Sequence, residues 1–287
     1  MRYFKNTILL LVSVWLAGCE TNVDASDLLD QQQLIVINGF LSPQDTILKV
    51  QVSKSESKAR GRTNTTNEDF VIKDATVIIK DEEENEVSLI YSNSSLSYEA
   101  PATDLLITPG KKYFLATTVQ GKEYTSSCII PLEQVTGIEQ SIGVDNRDDF
   151  IGNRKMKVTI EDIKEKSNYY VVGAEATYSF EGDTSGETTR DLDFEFNRFI
   201  TDTNRENSVV TADGGFFLPG FAEITKVKIK VANTEEILYN ALRAEFINNY
   251  NDDNPFTESV IAPTNIEGEN GFGVFAGYQL TEKEITF

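Results

Sequence analysis

The stretch LLITPGKKYFLATTVQGKEYTSSCIIP, residues 105–131, decides the fold class, because two strands and their connecting turn can be recognised in it. Pro109 and Gly110 form a turn, and apolar and polar side chains then alternate with the period of two that is typical of a half-buried strand. Gln120 and Gly121 supply a second turn, after which the alternation resumes. The side chains predicted to face inward are Tyr113, Leu115, Thr117, Val119, Tyr124, Ser126, Cys128 and Ile130. The stretch therefore predicts a β-hairpin with one buried face.

The same stretch carries a local motif. Leu106, the Pro109-Gly110 turn and Tyr113 resemble in spacing the tyrosine corner of immunoglobulin-like and fibronectin-like sandwiches, where the tyrosine hydroxyl bonds to nearby backbone. Further alternating or apolar runs precede it, and seven strands fit residues 33–131. We therefore predict a mainly β protein in which residues 33–132 form an immunoglobulin-like β-sandwich.

The second half is predicted to be another β-rich domain, over residues 133–287. In KVKIKV, residues 226–231, three lysines alternate with apolar side chains, a pattern that could meet an acidic partner but more commonly discourages pairing at the edge of a sheet. One helix is predicted over 234–250, capped by Thr234. Its predicted apolar stripe consists of Leu238, Ala241, Leu242, Phe246 and Tyr250. We expect this stripe to dock on the sheet of the same domain.

The N-terminus predicts a lipid anchor. Arg2 and Lys5 precede an apolar run that is too short to span a membrane, and the run ends in Leu16-Ala17-Gly18-Cys19, which resembles the lipobox of bacterial lipoproteins. Residues 1–18 are then a signal peptide, Cys19 is the lipid attachment site, and residues 19–32 are a flexible tether. The alternative is an ordinary signal peptide with an incidental cysteine.

Composition excludes several function classes. The chain has 46 acidic and 26 basic residues and a formal net charge of −20, which disfavours nucleic acid as a partner. It contains no histidine, which excludes histidine-based nucleophile systems and imidazole zinc sites. The glycines of 268–277 lack the strand–loop–helix order of a phosphate-binding loop, and 248–254 lacks the glycine and glutamate of an EF-hand loop. No cofactor or metal site is predicted, and Cys128 is predicted to be a core residue.

The order of motifs along the chain resembles one family. The lipobox is followed by LIVINGF at 34–40, DATVIIKD at 74–81, the 105–131 stretch and NPFTESVIAPTNIEGENGFGVFAGY at 254–278. This order resembles the Bacteroidetes lipoproteins catalogued as domain of unknown function 4249. The resemblance implies an envelope lipoprotein with no assigned catalytic residues, encoded beside TonB-dependent outer-membrane receptors.

The functional prediction is therefore a lipid-anchored outer-membrane protein without catalytic activity, which serves as a binding or accessory module for a TonB-dependent receptor. A carboxylate-based glycan hydrolase and a passive surface adhesin remain as alternatives. The predicted partner surface comprises Asn254, Pro255, Phe256, Gly271, Phe272 and Gly273, because aromatic rings beside glycines and proline resemble interface anchors. The competing interpretation is that these residues only close the sheet of the second domain. The sequence leaves open which leaflet the protein faces.

Overall fold

The computed structural model describes residues 33–55, 67–144, 153–164, 166–180, 186–202, 209–219, 222–251 and 257–287. Cys19, the predicted tether and Asn254 to Phe256 lie outside the described residues. The described strands are β1 (Ile35–Leu41), β2 (Ile47–Lys54), β3 (Thr76–Asp81), β4 (Glu86–Ser92), β5 (Ser97–Pro101), β6 (Lys112–Val119), β7 (Lys122–Ile129), β8 (Ile138–Val144), β9 (Asn153–Glu161), β10 (Tyr169–Phe180), β11 (Thr188–Asp191), β12 (Phe199–Thr201), β13 (Val209–Phe217), β14 (Ala222–Thr234), β15 (Gly271–Phe272) and β16 (Phe275–Thr286).

The protein is mainly β, as predicted. Its larger sheet has 13 strands, and its path runs β11-β10-β14-β16-β1-β2-β5-β4-β3-β6-β7, with β12 beside β10 and β15 beside β1. A second sheet has the order β13-β9-β8. One α-helix, α1 (Glu236–Tyr250), and two short 3-10 helices, Asn67–Phe70 and Glu195–Arg198, complete the described elements. Among the helices of the described ranges, none is long and apolar enough to cross a membrane.

Strands β1 to β7 enclose the first core, to which each contributes alternate side chains. Strand β4 pairs with β3 through its first half and with β5 through its second, so it links the two layers around that core. The tyrosine corner is confirmed: the fully buried Tyr113 hydroxyl donates to the carbonyl of Leu106 at 2.8 Å and accepts the amide N–H of Thr108 at 2.8 Å. These bonds fix the turn that leads into β6.

The second core lies between the β13-β9-β8 sheet and strands β10 and β14. Val227, Ile229 and Val231 of β14 are fully buried in it, while the three lysines alternate onto the opposite face. The edge-strand interpretation of these lysines is wrong, because β14 lies between β10 and β16. Its lysines instead form ion pairs with Glu175, Glu282 and Glu284 of those neighbours.

Strand β16 joins the two cores. Phe275, Ala276 and Gly277 pair in parallel with β1, whereas residues 278–286 pair antiparallel with β14. The C-terminal segment also places Ile266 and Phe275 in the first core. The division of the chain at residues 132 and 133 stays a prediction, and the larger sheet is continuous from one side of it to the other.

Helix α1 begins two residues later than predicted. Thr234 is the last residue of β14, and Glu235 occupies the N-cap position, so the predicted cap is wrong. The predicted stripe is only partly correct, because Leu238 is buried whereas Tyr250 is 63% exposed. Tyr239 and Ala244 are the other buried helix residues. The helix packs against β16 on one side and against β10 on the other, and a single stripe does not describe two contacts.

Candidate binding surfaces

The segment from Asn265 to Tyr278, here called the C-terminal signature, closes the first core through the side chain of Asn265. Its Oδ1 accepts the N–H of Phe275 at 2.9 Å, and its Nδ2 donates to the carbonyls of Phe275 at 2.7 Å and Ser127 at 3.3 Å. Ser126 Oγ donates in turn to the Asn265 carbonyl at 2.8 Å. One amide side chain therefore ties β16 to β7, two strands that no backbone ladder joins.

Two glycines of the signature allow close contacts between strands. Gly273 has φ +114°, and a Cβ built there would lie 2.1 Å from the carbonyl oxygen of Ile37. A Cβ at Gly277 would lie 2.7 Å from the carbonyl oxygen of Ile129. The two glycines therefore let a neighbouring backbone approach closely, that of β1 at Gly273 and that of β7 at Gly277.

The predicted partner residues within the described ranges belong to this closure. Gly271 and Phe272 form β15, which pairs in parallel with Ile35 and Val36 of β1, and Gly273 is buried. Phe272 is half-buried and borders a hollow on the outer face of the sheet. A partner-binding role for these residues stays a prediction.

A concave surface, here called the outer groove, covers the face of β1, β2 and β5 that points away from the first core. It consists of two adjoining hollows of about 380 and 340 Å³, which share Asn38, Phe40 and Gln51. Ser95 and Ser97 border one end, and Leu242, Pro263 and Phe272 border the other. Asn38 and Gln51 face each other across the β1–β2 ladder because they are register partners.

The groove contains few uncompensated charges. Lys49 Nζ lies 3.0 Å from Glu99 Oε1, its register partner on β5. Asp45 accepts the Tyr278 hydroxyl at 2.8 Å and the Ser42 N–H at 2.8 Å. Burial raises the pKa of the Asp45 carboxyl, and burial together with the Asp45 charge raises that of the Tyr278 phenol. Glu245 of α1 is a charged side chain at the rim.

A second candidate, here called the aromatic surface, lies where the C-terminal half of α1 meets the 193–201 segment. Ring centroids are 5.2 Å apart for Phe196 and Phe246 and 5.4 Å apart for Phe196 and Tyr250. The Arg198 guanidinium lies 4.8 Å from the Phe246 centroid, and Phe199 continues the cluster inward to Tyr239. Phe196 is 42% exposed, so two rings of the cluster, those of Phe196 and Tyr250, face solvent.

A half-buried carboxylate, Glu235, lies at the start of α1 against β7 and β16. Glu235 Oε1 accepts the N–H of Ile129, and its Oε2 accepts the N–H of Gly277 at 2.6 Å. Burial raises the pKa of Glu235. Cys128, on the neighbouring strand, is 2% exposed in the first core as predicted, and burial raises the pKa of its thiol. A thiol in this environment is a packing residue.

Neither surface is recognisable from the sequence alone. Phe40, Lys49 and Gln51 are the outward residues of correctly identified strands, and nothing in a single strand shows that its outward residues meet a helix 200 positions later. The sequence does contain one indication of the outer groove. Phe40 and Ile47 are large apolar side chains at outward positions of neighbouring strands. Phe246 and Tyr250 were assigned to the docked stripe, although their neighbour is the aromatic Phe196.

A model of the family described as domain of unknown function (DUF4249) matches residues 20–284. A comparison with curated proteins finds no match. A solved structure titled "Biofilm associated protein - B domain" aligns with 88% of this chain and 85% of its own at 8% identity. The TM-score of that alignment is 0.19, too low for the two folds to be equated.

Proposed function

The chain belongs to the DUF4249 family, and from this premise we propose that it is a lipid-anchored outer-membrane protein that binds a TonB-dependent receptor as a non-catalytic accessory. The matched region begins at residue 20, directly after the lipobox cysteine. Acyl chains on Cys19 would hold the protein at the membrane, at about 0.8 kcal/mol per buried methylene. A TonB-dependent receptor is proposed as the partner because the sequence resembles a family that is encoded beside such receptors.

The observation that carries the proposal is the aromatic surface. Aromatic rings and arginine are enriched at protein interfaces, and charged residues other than arginine are depleted at their centres. Phe196, Tyr250 and Arg198 combine these features on a chain whose formal charge is −20. The large exposed area of Tyr250 gives a partner an apolar contact with a polar hydroxyl at its tip.

Chain continuity connects this surface with the predicted partner residues. Tyr250 ends α1, and Asn254, Pro255 and Phe256 follow it within six positions. The proposed receptor contact therefore combines the aromatic surface with the NPF triplet. Gly271, Phe272 and Gly273 support it indirectly, because they fix the sheet against which α1 packs.

The test is co-isolation from detergent-solubilised membranes of the native host with mass spectrometry of the captured proteins. The intact protein should capture an outer-membrane barrel receptor, and the Phe196→Glu/Tyr250→Glu variant should capture at least tenfold less. Ile90→Glu is the matched control, because Ile90 is 77% exposed and lies outside both surfaces. Its capture should equal that of the wild type.

Two results would overturn the proposal. Equal receptor capture by the double variant and by the wild type removes the aromatic surface from the contact. Lipid labelling of a Cys19→Ser variant at the wild-type level would show that Cys19 is not the site of lipid attachment. Circular dichroism of both variants establishes that a loss of capture is not a loss of folding.

A further inference from the structure

The outer groove has a chemistry of its own, independent of the receptor contact. The chain is strongly acidic, yet the groove floor presents amide, hydroxyl and aromatic side chains. Its Lys49 is paired with Glu99, its Asp45 accepts the Tyr278 hydroxyl, and the remaining charge, Glu245, lies at the rim. An ionic ligand would be recognised by unpaired charges of the opposite sign. The groove therefore fits an uncharged, polar ligand.

Two amides and one ring form the centre of the groove. Asn38 uses its Oδ1 to accept the N–H of Val274 at 3.0 Å, which fixes the amide and directs its Nδ2 group elsewhere. Among the described residues, neither Asn38 Nδ2 nor the Gln51 amide makes a hydrogen bond. Phe40 is 37% exposed between the two hollows. Donors, an acceptor and an apolar ring are thus available side by side.

The topology argues against an extended peptide as the ligand. A peptide that adds a strand needs the unpaired N–H and C=O groups of a sheet edge. Strand β1 is paired with β2 on one side and with β15 and β16 on the other, and β2 is paired with β1 and β5. The groove lies on a sheet face, so the ligand would meet the side chains of β1 and β2 rather than their paired backbone groups.

We propose that the outer groove binds an uncharged oligosaccharide, with an apolar sugar face on the Phe40 ring and hydroxyls on Asn38 and Gln51. Pyranose rings combine C–H faces with hydroxyl edges, and the groove combines the same two properties. Leu242, Pro263 and Phe272 give an apolar wall at one end, and Ser95 and Ser97 give hydroxyls at the other. From β5 to β16 the groove crosses three strand spacings, or about 14 Å, which accommodates a short chain.

The experiment uses the chain without its predicted lipid attachment site, residues 20–287, on an array of neutral homo-oligosaccharides that covers the common linkages, with hexagalacturonate as the anionic probe. Titration calorimetry then measures Kd for the best neutral binder. Phe40→Ala and Gln51→Ala should each raise Kd at least tenfold, and Ile90→Ala should leave it unchanged. Thermal unfolding of each variant should stay within a few degrees of the wild type, because Phe40 and Gln51 are exposed.

Absence of binding to every neutral probe overturns the proposal, as does tighter binding of hexagalacturonate or an unchanged Kd in both groove variants. The result is separable from the receptor contact, because Phe196→Glu/Tyr250→Glu should retain oligosaccharide binding. A protein that binds the sugar and no receptor would refute the proposed function alone.

Discussion

The two halves of the C-terminal segment, residues 265–277 and 278–286, are held in different ways, although β16 runs through both. The first half, residues 265–277, lies against β1 and β7 in contacts so close that Gly273 and Gly277 have no room for a side chain. The second half lies beside β14 in a regular antiparallel ladder, with valine and isoleucine on one face and lysine–glutamate pairs on the other. One half depends on specific residues, and the other depends on a repeating pattern.

This difference explains the residues of the C-terminal signature. The Asn265 side chain satisfies backbone groups of Phe275 that no ladder pairs, and the glycines allow backbone contacts closer than those of a regular ladder. The charged ladder can lose one pair and keep its backbone hydrogen bonds, since exposed ion pairs contribute little. Substitutions should therefore be severe in the first half and mild in the second.

The largest effect is expected for Gly273→Ala. The new Cβ would collide with the carbonyl oxygen of Ile37, and an L-residue is strained at φ +114°. We expect a loss of about 3 kcal/mol or more in the free energy of unfolding, measured by urea titration. The control is Gly173→Ala in β10, where a Cβ meets no atom within 4 Å. A loss equal to that of the control would contradict the close approach of β1.

An intermediate effect is expected for Asn265→Ala, which leaves the N–H of Phe275 and the carbonyl of Ser127 without the amide partner. The expected loss is about 2 kcal/mol. Asn248 offers a matched control, because its amide clamps the N–H and C=O of Val260 with similar distances on the surface. Asn248→Ala should cost less than about 1 kcal/mol. Equal losses in the two variants would show that burial of these amide hydrogen bonds does not increase their contribution to the free energy of unfolding.

A pH-dependent effect is expected at Glu235, where the two halves meet. Burial raises its folded-state pKa above the ordinary value of about 4.3, so the folded protein keeps this proton longer than the unfolded chain does. The contribution of Glu235 to stability therefore falls as pH rises from about 4 through the folded-state pKa. Urea unfolding from pH 4 to pH 7 should show wild type losing stability relative to Glu235→Gln.

The comparison at Glu235 needs a control on the same helix. Asn240→Ala changes an exposed side chain that has no ionisable group, so its stability should keep a constant offset from wild type over the same pH range. If Glu235→Gln also keeps a constant offset, the buried carboxylate does not titrate differently in the two states.

The smallest effect is expected for Lys228→Ala in the charged ladder. Lys228 lies 2.9 Å from Glu282, but both side chains remain partly exposed, so the expected loss of stability is smaller than that of Asn265→Ala. The difference between wild type and variant should shrink further in 1 M salt, because exposed ion pairs are screened. A loss above that of Asn265→Ala would reverse the order of the two halves of the C-terminal segment.

The sequence predicted local features well. The bonds of Tyr113 join residues at most seven positions apart, and the hairpin of β6 and β7 pairs residues at most 17 positions apart; both are present. The helix start was wrong by two residues, because Glu235 is held at the N-cap by Gly277, which lies 42 positions away. The edge role of the β14 lysines was wrong because the neighbour of β14 is the last strand of the chain.

By itself, then, the sequence determined the β class, the positions of most strands and the faces that each strand buries, since alternation is a local property. Only the tertiary structure decided what lies beside each face. It placed Val274 on the amide of Asn38, 236 positions earlier, and it brought α1 to the outward residues of β1 and β2. Contacts over such separations depend on the packing of the whole chain, so a surface such as the outer groove becomes visible only when the sheet is assembled.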